Sequence, residues 1–303
     1  MQFTYKSKAT MSQPDDGTSE QNPLIFPFRP LSSRRFLCTP DKLLALVAGA
    51  LCTLCASALG EESANPMTTK ESVEHVARLR VFFGHQSVGG NIIDALKAYL
   101  PVFDVTENQA ASRNVSFFHA LVGQNTQPLT KLSAFEAALD SLEARQTIDV
   151  AMVKFCYVDF DSTTDVDGLI DAYTATLRKL QARHPKTTFV HITAPLTIVQ
   201  GGMRGWLKSR FGAGAWGEKE NVKREAFNQR IRSTFKGEPI FDLAALEATL
   251  PDGRLDTYRA GEANVPRLRA DFTDDGGHLN GAGRAALATA LVRFLATVPI
   301  RGE

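Results

Sequence analysis

Along the chain, short apolar runs alternate with stretches in which apolar residues recur every three or four positions. Leu79 to Phe83 is apolar except for Arg80 and reads as a buried strand, and Ile92, Ile93, Leu96 and Leu100 then recur at helical spacing. Between them, Gly84, Gly89 and Gly90 predict a turn, with Ser87 inside it. Val102 to Val105 is a short second strand, and residues 107–128 read as a loop-rich piece holding Phe117, Phe118 and His119. Leu132, Phe135, Leu139 and Leu142 mark a helix face, with Ser133 and Glu136 at capping-box spacing. Asp149 to Val158 is long and apolar enough for a central strand, and Leu169, Ile170, Tyr173, Leu177 and Leu180 form the next helix face.

The pattern continues with a strand at Thr188–Ile192, an irregular insertion from Thr197 to Glu220, and a helix around Glu225–Phe235. A strand at Pro239–Leu243, a polar loop to Gly277 and a last helix through Leu287, Leu291, Phe294 and Leu295 complete it. Strands alternating with amphipathic helices, without tight hairpins, imply a parallel sheet covered on both faces. The expectation is one α/β domain over residues 68–300, with about five parallel strands in a flavodoxin-like, three-layer α/β/α arrangement.

The N-terminal sixty residues do not share this pattern. Residues 1–41 are polar and aperiodic, which suggests a disordered or over-extended segment. Residues 42–60 contain the uncharged run Leu43–Leu59, preceded by Arg34, Arg35 and Lys42 and closed by Ala56-Ser-Ala58. A positive flank, an apolar core and small residues at the exit predict a secretory signal peptide. The run also falls at the short end of what spans a bilayer, about 17–25 residues, so an uncleaved anchor is the alternative. The body is therefore expected in the periplasm or outside the cell, or held at the inner membrane by a retained leader.

Composition narrows the function. A formal charge of +1 gives no reason to expect nucleic acid, or a membrane surface other than through the leader. Of four cysteines, Cys156 alone lies in the body, so no internal disulfide is available there. In the body, no His-x-x-x-His or Cys-x-x-Cys pair suggests a metal, and no glycine-rich phosphate loop suggests a nucleotide; no cofactor is expected.

Two stretches carry candidate chemistry. Ser87, between a strand and a helix, lies where ligands gather in an open α/β sheet; it is either a nucleophile or a helix N-cap. Asp275-Gly-Gly-His278-Leu-Asn280 enters the last helix, with Asn280 placed to cap it. Asp275, or alternatively Asp274, is close enough to orient one ring nitrogen of His278, leaving the other to act as a base.

Taken together, these stretches resemble the SGNH/GDSL hydrolase superfamily, whose nucleophilic serine follows the first strand and whose Asp-x-x-His precedes the last helix. The resemblance implies Ser87 as nucleophile, His278 as general base and acid, and Asp275 as its orienter. It implies backbone donation by Gly123 to an oxyanion hole. The chain departs from the family in two places. His85-Gln86-Ser87 stands for Gly-Asp-Ser, and Phe155-Cys156-Tyr157-Val158-Asp159 replaces the block that supplies an oxyanion-hole asparagine.

Asn125 is close enough in sequence to supply the missing amide, or is a loop asparagine. His85, Tyr157 and Asp159 are candidate pocket residues. Trp206 and Trp216 form either a sugar-stacking wall or the small core of their own loop. The implied activity is an exported serine ester hydrolase acting on a small acyl or glycan ester. The alternatives are a silent binding domain of the same fold and an acyltransferase to a sugar hydroxyl.

Overall fold

The computed structural model describes residues 67–105, 115–200 and 216–301. The chain divides into two units, Met1–Glu61 and Glu62–Glu303, and the described residues all belong to the second. The expected leader, the segment before it and Trp206 lie outside the described residues. Among those described, no helix is long and apolar enough to cross a membrane.

A six-stranded sheet forms the centre, in the order β2-β3-β1-β4-β5-β6. Its strands are β1 (Val81–His85), β2 (Val102–Asp104), β3 (Phe117–Leu121), β4 (Val150–Val153), β5 (Thr188–Ile192) and β6 (Ile240–Phe241). Every pairing in it is parallel. The helices are α1 (Thr69–Val76), α2 (Val88–Leu96), α3 (Pro128–Glu143), α4 (Val166–Arg183), α5 (Glu218–Thr234), α6 (Leu243–Ala248) and α7 (Gly281–Leu295).

Side chains alternate across a strand, so each central strand feeds two cores. Val81, Phe83, Val150, Met152, Val190 and Ile192 face one way, against apolar residues of α1, α2, α6 and α7. Phe82, Phe118, Ala151, Val153 and Phe189 face the other, against α3, α4 and α5. The three-layer α/β/α arrangement follows from that division.

The expected five strands are six. The additional strand is β3, in the stretch read as loop, and it lies between β1 and β2. Its Phe-Phe-His-Ala-Leu sequence is too short to establish a period, and its polar His119 is buried by neighbours distant in sequence. The polar loop before Gly277 also has structure: it contains α6 and an antiparallel hairpin, β7 (Thr257–Ala260) with β8 (Ala263–Pro266). The strand expected over Asp149–Val158 stops at Val153, and Tyr157–Asp159 turn as one 3₁₀ helix. Ser133 does not begin a helix; it lies inside α3, which starts at Pro128, and its hydroxyl donates back to the carbonyl of Thr130.

Gly84, read as part of a turn, serves packing instead. Gly84 is within β1, where a Cβ would lie 2.7 Å from Phe135 Cδ2 and 3.2 Å from Val122 Cγ1. Overfilling a packed core costs about 1–3 kcal/mol. Gly84→Ala should therefore lower the urea-unfolding free energy by about that amount; an unchanged midpoint would show that Phe135 yields freely.

Candidate active site

The chain leaves β1 next to both β3 and β4, so the loops that follow those two strands flank the segment after β1. That segment is Gln86-Ser87. Ser87 has φ 48° and ψ −110°, outside the broad allowed regions for an L-residue. It stands at the N-cap of α2 but makes no side-chain capping bond. Its hydroxyl instead lies 2.7 Å from His278 Nε2. The geometry thus decides against the capping reading of this serine.

His278 Nδ1 lies 2.7 Å from Asp275 Oδ2. The other carboxylate oxygen, Oδ1, accepts from the backbone N–H groups of Gly277 at 2.9 Å and His278 at 2.8 Å. Asp275 is therefore fixed by its own turn. Burial works to raise its pKa, but those hydrogen bonds and the imidazole together hold the carboxyl well below the ordinary range. Asp274 takes no part in this: its carboxylate accepts from Asn280 Nδ2 at 3.3 Å. Asn280 caps α7 as its position predicts, accepting from Gly283 N at 3.1 Å.

Two contacts hold the histidine turn against the rest of the site. Leu279 N donates to Asn91 Oδ1 on α2 at 3.1 Å, which ties the turn to the helix that begins at Ser87. Ile198 N donates to Gly276 O at 2.9 Å. Trp216 packs beside that same glycine, where a Cβ would come within 3.0 Å of its Cζ3. The side chains of His278 and Asp275 remain 43% and 56% exposed, so the serine–histidine pair opens to solvent.

Gly123 follows β3. Its φ is 59°, and a Cβ there would sit 2.5 Å from the backbone nitrogen of Lys131, so only glycine fits. Gln86 Nε2 donates to Gly123 O at 3.0 Å, joining this loop to the serine turn. Among the described residues, neither Gly123 N–H nor Ser87 N–H donates to a protein group.

The other candidates lie elsewhere. Asn125 Oδ1 accepts from Lys131 Nζ at 3.1 Å, and among the described residues no hydrogen bond joins Asn125 to Ser87 or His278. His85 does not line the opening: it is 1% exposed, pressed beneath Gly89, with its Nε2 3.1 Å from His119 Nδ1. Burial, together with the neighbouring His119 and Lys154, pushes its pKa well below the ordinary value. Asp159 is buried as a fastener between loops, and does not present its carboxylate to solvent. One of its oxygens accepts from Thr126 N at 2.9 Å, and the other accepts from Cys156 N at 2.6 Å and from Lys131. Tyr157 is the one of the three that reaches the centre, with its hydroxyl 3.3 Å from each ring nitrogen of His278.

Several supporting residues carry no motif. The side chain of Lys131 is fully buried against Asp159. Arg224 reaches from α5 to donate to Tyr157 O at 3.1 and 2.8 Å. Glu247, on α6, accepts from Leu196 N at 2.6 Å under the segment that holds Gly276. Lys154 is buried and donates to Phe155 O at 3.0 Å.

No family model matches the chain, and no curated protein matches it. Solved structures do resemble it. A lipase/acylhydrolase from Enterococcus faecalis is 13% identical, with a TM-score of 0.43 over 72% of this chain and 96% of that one. A protein assigned as an SGNH hydrolase from Slackia heliotrinireducens is 16% identical, with a TM-score of 0.41 over 72% and 98%. The periplasmic domain of a lipopolysaccharide acetyltransferase from Salmonella ser. Paratyphi A is 14% identical, with a TM-score of 0.37 over 70% and 81%.

Two predictions follow from the buried groups. Removing one partner of a buried ion pair costs about 3–5 kcal/mol, because the other charge is left uncompensated. Asp159→Asn should lose stability of that order, and adding Lys131→Met should recover part of it; urea unfolding of both variants decides. Glu247 gives a pH signature. Burial raises its carboxyl from 4.5 to about 8, against the pull of the Leu196 N–H, Lys154 and Arg224. The folded state thus keeps a proton that the unfolded chain releases, so its contribution is whole below pH 4.5 and is lost as pH rises toward 8. Urea midpoints of wild type should therefore fall relative to Glu247→Gln across that window, and parallel profiles would contradict the assignment.

With a parallel sheet between two helical layers, Ser87 after its first strand and His278 before its last helix, the chain has the three-layer α/β/α arrangement that its sequence predicts.

Proposed function

We propose that this domain is a serine ester hydrolase acting through an acyl-enzyme. The observation that carries the reading is the unbroken chain from Ser87 Oγ to His278 Nε2 at 2.7 Å and from His278 Nδ1 to Asp275 Oδ2 at 2.7 Å. In such an arrangement His278 takes the serine proton as Oγ attacks the ester carbonyl, then returns it to the departing alcohol. Water, deprotonated by the same imidazole, attacks the acyl-enzyme and restores the serine. Asp275 holds the Nδ1–H tautomer and stabilises the imidazolium. The free N–H groups of Ser87 and Gly123 are the backbone donors for the oxyanion.

The exposure of the pair suits a small-molecule or glycan ester that approaches from solvent. No step needs a cofactor. The leader at residues 42–60 supports action in the periplasm or outside the cell.

Purified protein should cleave short-chain aryl esters, and a fluorophosphonate should add to Ser87, read by intact mass and peptide mapping. Ser87→Ala and His278→Ala should each lower turnover by about 10³–10⁶, with the double variant scarcely worse, since the two act as a unit. Asp275→Asn should cost less than His278→Ala because the base remains. A folded wild type that neither labels nor cleaves would leave the silent binding domain as the reading.

A further inference from the structure

His278 is not held by burial, since its side chain is 43% exposed. Its two hydrogen bonds lie in the ring plane, Nδ1 with Asp275 and Nε2 with Ser87, each at 2.7 Å. They leave the ring free to tilt about the line joining them, and the Ser87 bond is lost once Oγ is acylated. The imidazole must then stay aligned with the alcohol and the water that follow.

Two segments touch its turn. Tyr157, on the 3₁₀ turn after β4, has its Oη 3.3 Å from both Nδ1 and Nε2, with the rings edge to face at 75° and centroids 5.4 Å apart. A hydroxyl equally far from both nitrogens lines up with neither in-plane direction, so it meets the imidazole as a stop against tilting. The same tyrosine covers Gly277, where a Cβ would lie 2.8 Å from its Cζ. Ile198 holds the other end of the turn, donating its N–H to Gly276 O at 2.9 Å.

Both segments are fastened to α5, at two positions one helical turn apart. Arg224 donates from Nε and Nη2 to Tyr157 O at 3.1 and 2.8 Å, and from Nη1 to Thr197 Oγ1 at 2.9 Å. Its guanidinium also lies 5.9 Å from the Tyr157 ring centroid. Asn221 Oδ1 accepts from Thr197 N at 3.1 Å and from Arg224 Nη1 at 2.5 Å, and its Nδ2 donates to Thr197 O at 2.7 Å. Both side chains are buried, and burial pulls the Arg224 pKa down to about 10. Its hydrogen-bond partners among the described residues are all neutral oxygens. A buried cation without a paired carboxylate costs stability that apolar packing would not. What it supplies is position.

On the reading of His278 as general base, we propose that Asn221 and Arg224 form a positioning platform for the histidine turn, with Tyr157 as the piece that touches the imidazole. The two α5 residues act through Tyr157 and through the Thr197-Ile198 segment.

A displacement of about 1 Å that originates far from the chemistry costs about 10² in rate. Tyr157→Leu removes the stop, and Arg224→Lys keeps the charge but not the paired donation. Each, in the full chain, should lower kcat on an aryl ester by about 10², with KM within about threefold. The deciding measurement repeats both substitutions in the His278→Ala background, followed as residual turnover and as fluorophosphonate labelling of Ser87. Groups that act through the imidazole have nothing left to position there, so neither substitution should change those rates by more than about twofold. A loss of about 10² in that background overturns the proposal, because the groups would then act on the substrate or on the fold. Single variants within about twofold of wild type overturn it as well, while the inactivity of Ser87→Ala keeps the hydrolase reading intact. Should Arg224→Lys fail to fold, the Tyr157→Leu cycle decides. Wild type that neither cleaves nor labels removes the base, and the platform falls with that reading.

Discussion

A parallel sheet buried on both faces leaves little room for solvent chemistry except at its strand ends, and this constraint organises the molecule. Both surfaces of the central strands are occupied by apolar cores. The chain must leave each strand at the same end, and there three loops meet around the first strand. The loop after β1 carries Ser87, that after β3 carries Gly123, and that after β4 carries Tyr157. The histidine turn arrives from the other direction, seated by its hydrogen bond to Asn91 on α2.

Loops that meet at a sheet end do not hold their places by burial alone, because they carry too little apolar surface. Here polar groups do the holding. Lys131 and Asp159 join the second and third loops from beneath, Gln86 joins the first to the second, and Arg224 fixes the third from its carbonyl. A buried ion pair of this kind adds little net stability over apolar packing, but breaking it is costly. It suits a place where position matters more than stability. The unusual backbone of Ser87 persists for a related reason: strain at a single residue is tolerated when its surroundings over-determine it.

The sequence determined a good deal by itself. Period-2 and period-3.6 patterns predict the α/β class, and five of six strands were legible. The order of serine, then aspartate and histidine, was legible too, because Asp275-x-x-His278 is local and its geometry follows from a single turn. β3 was not legible, since five residues with a histidine among them show no period, and only burial by β1 and β2 makes them a strand.

What only the tertiary structure decided are the relations across long separations. Whether Ser87 caps its helix or faces a histidine depends on an interaction spanning 191 residues, and no local propensity encodes it. The choice of Asp275 over Asp274 depends on which carboxylate the Gly277 and His278 amides reach. The candidates near the serine separate in the same way. His85 is nearest in sequence but lies under α2, Asn125 is held by Lys131, and Asp159 is spent on loop backbone. Tyr157, seventy positions away, is the one brought to the ring. The physical reason is that side-chain chemistry is read from composition and spacing, whereas direction depends on what packs behind each residue, and here that comes from other strands and helices.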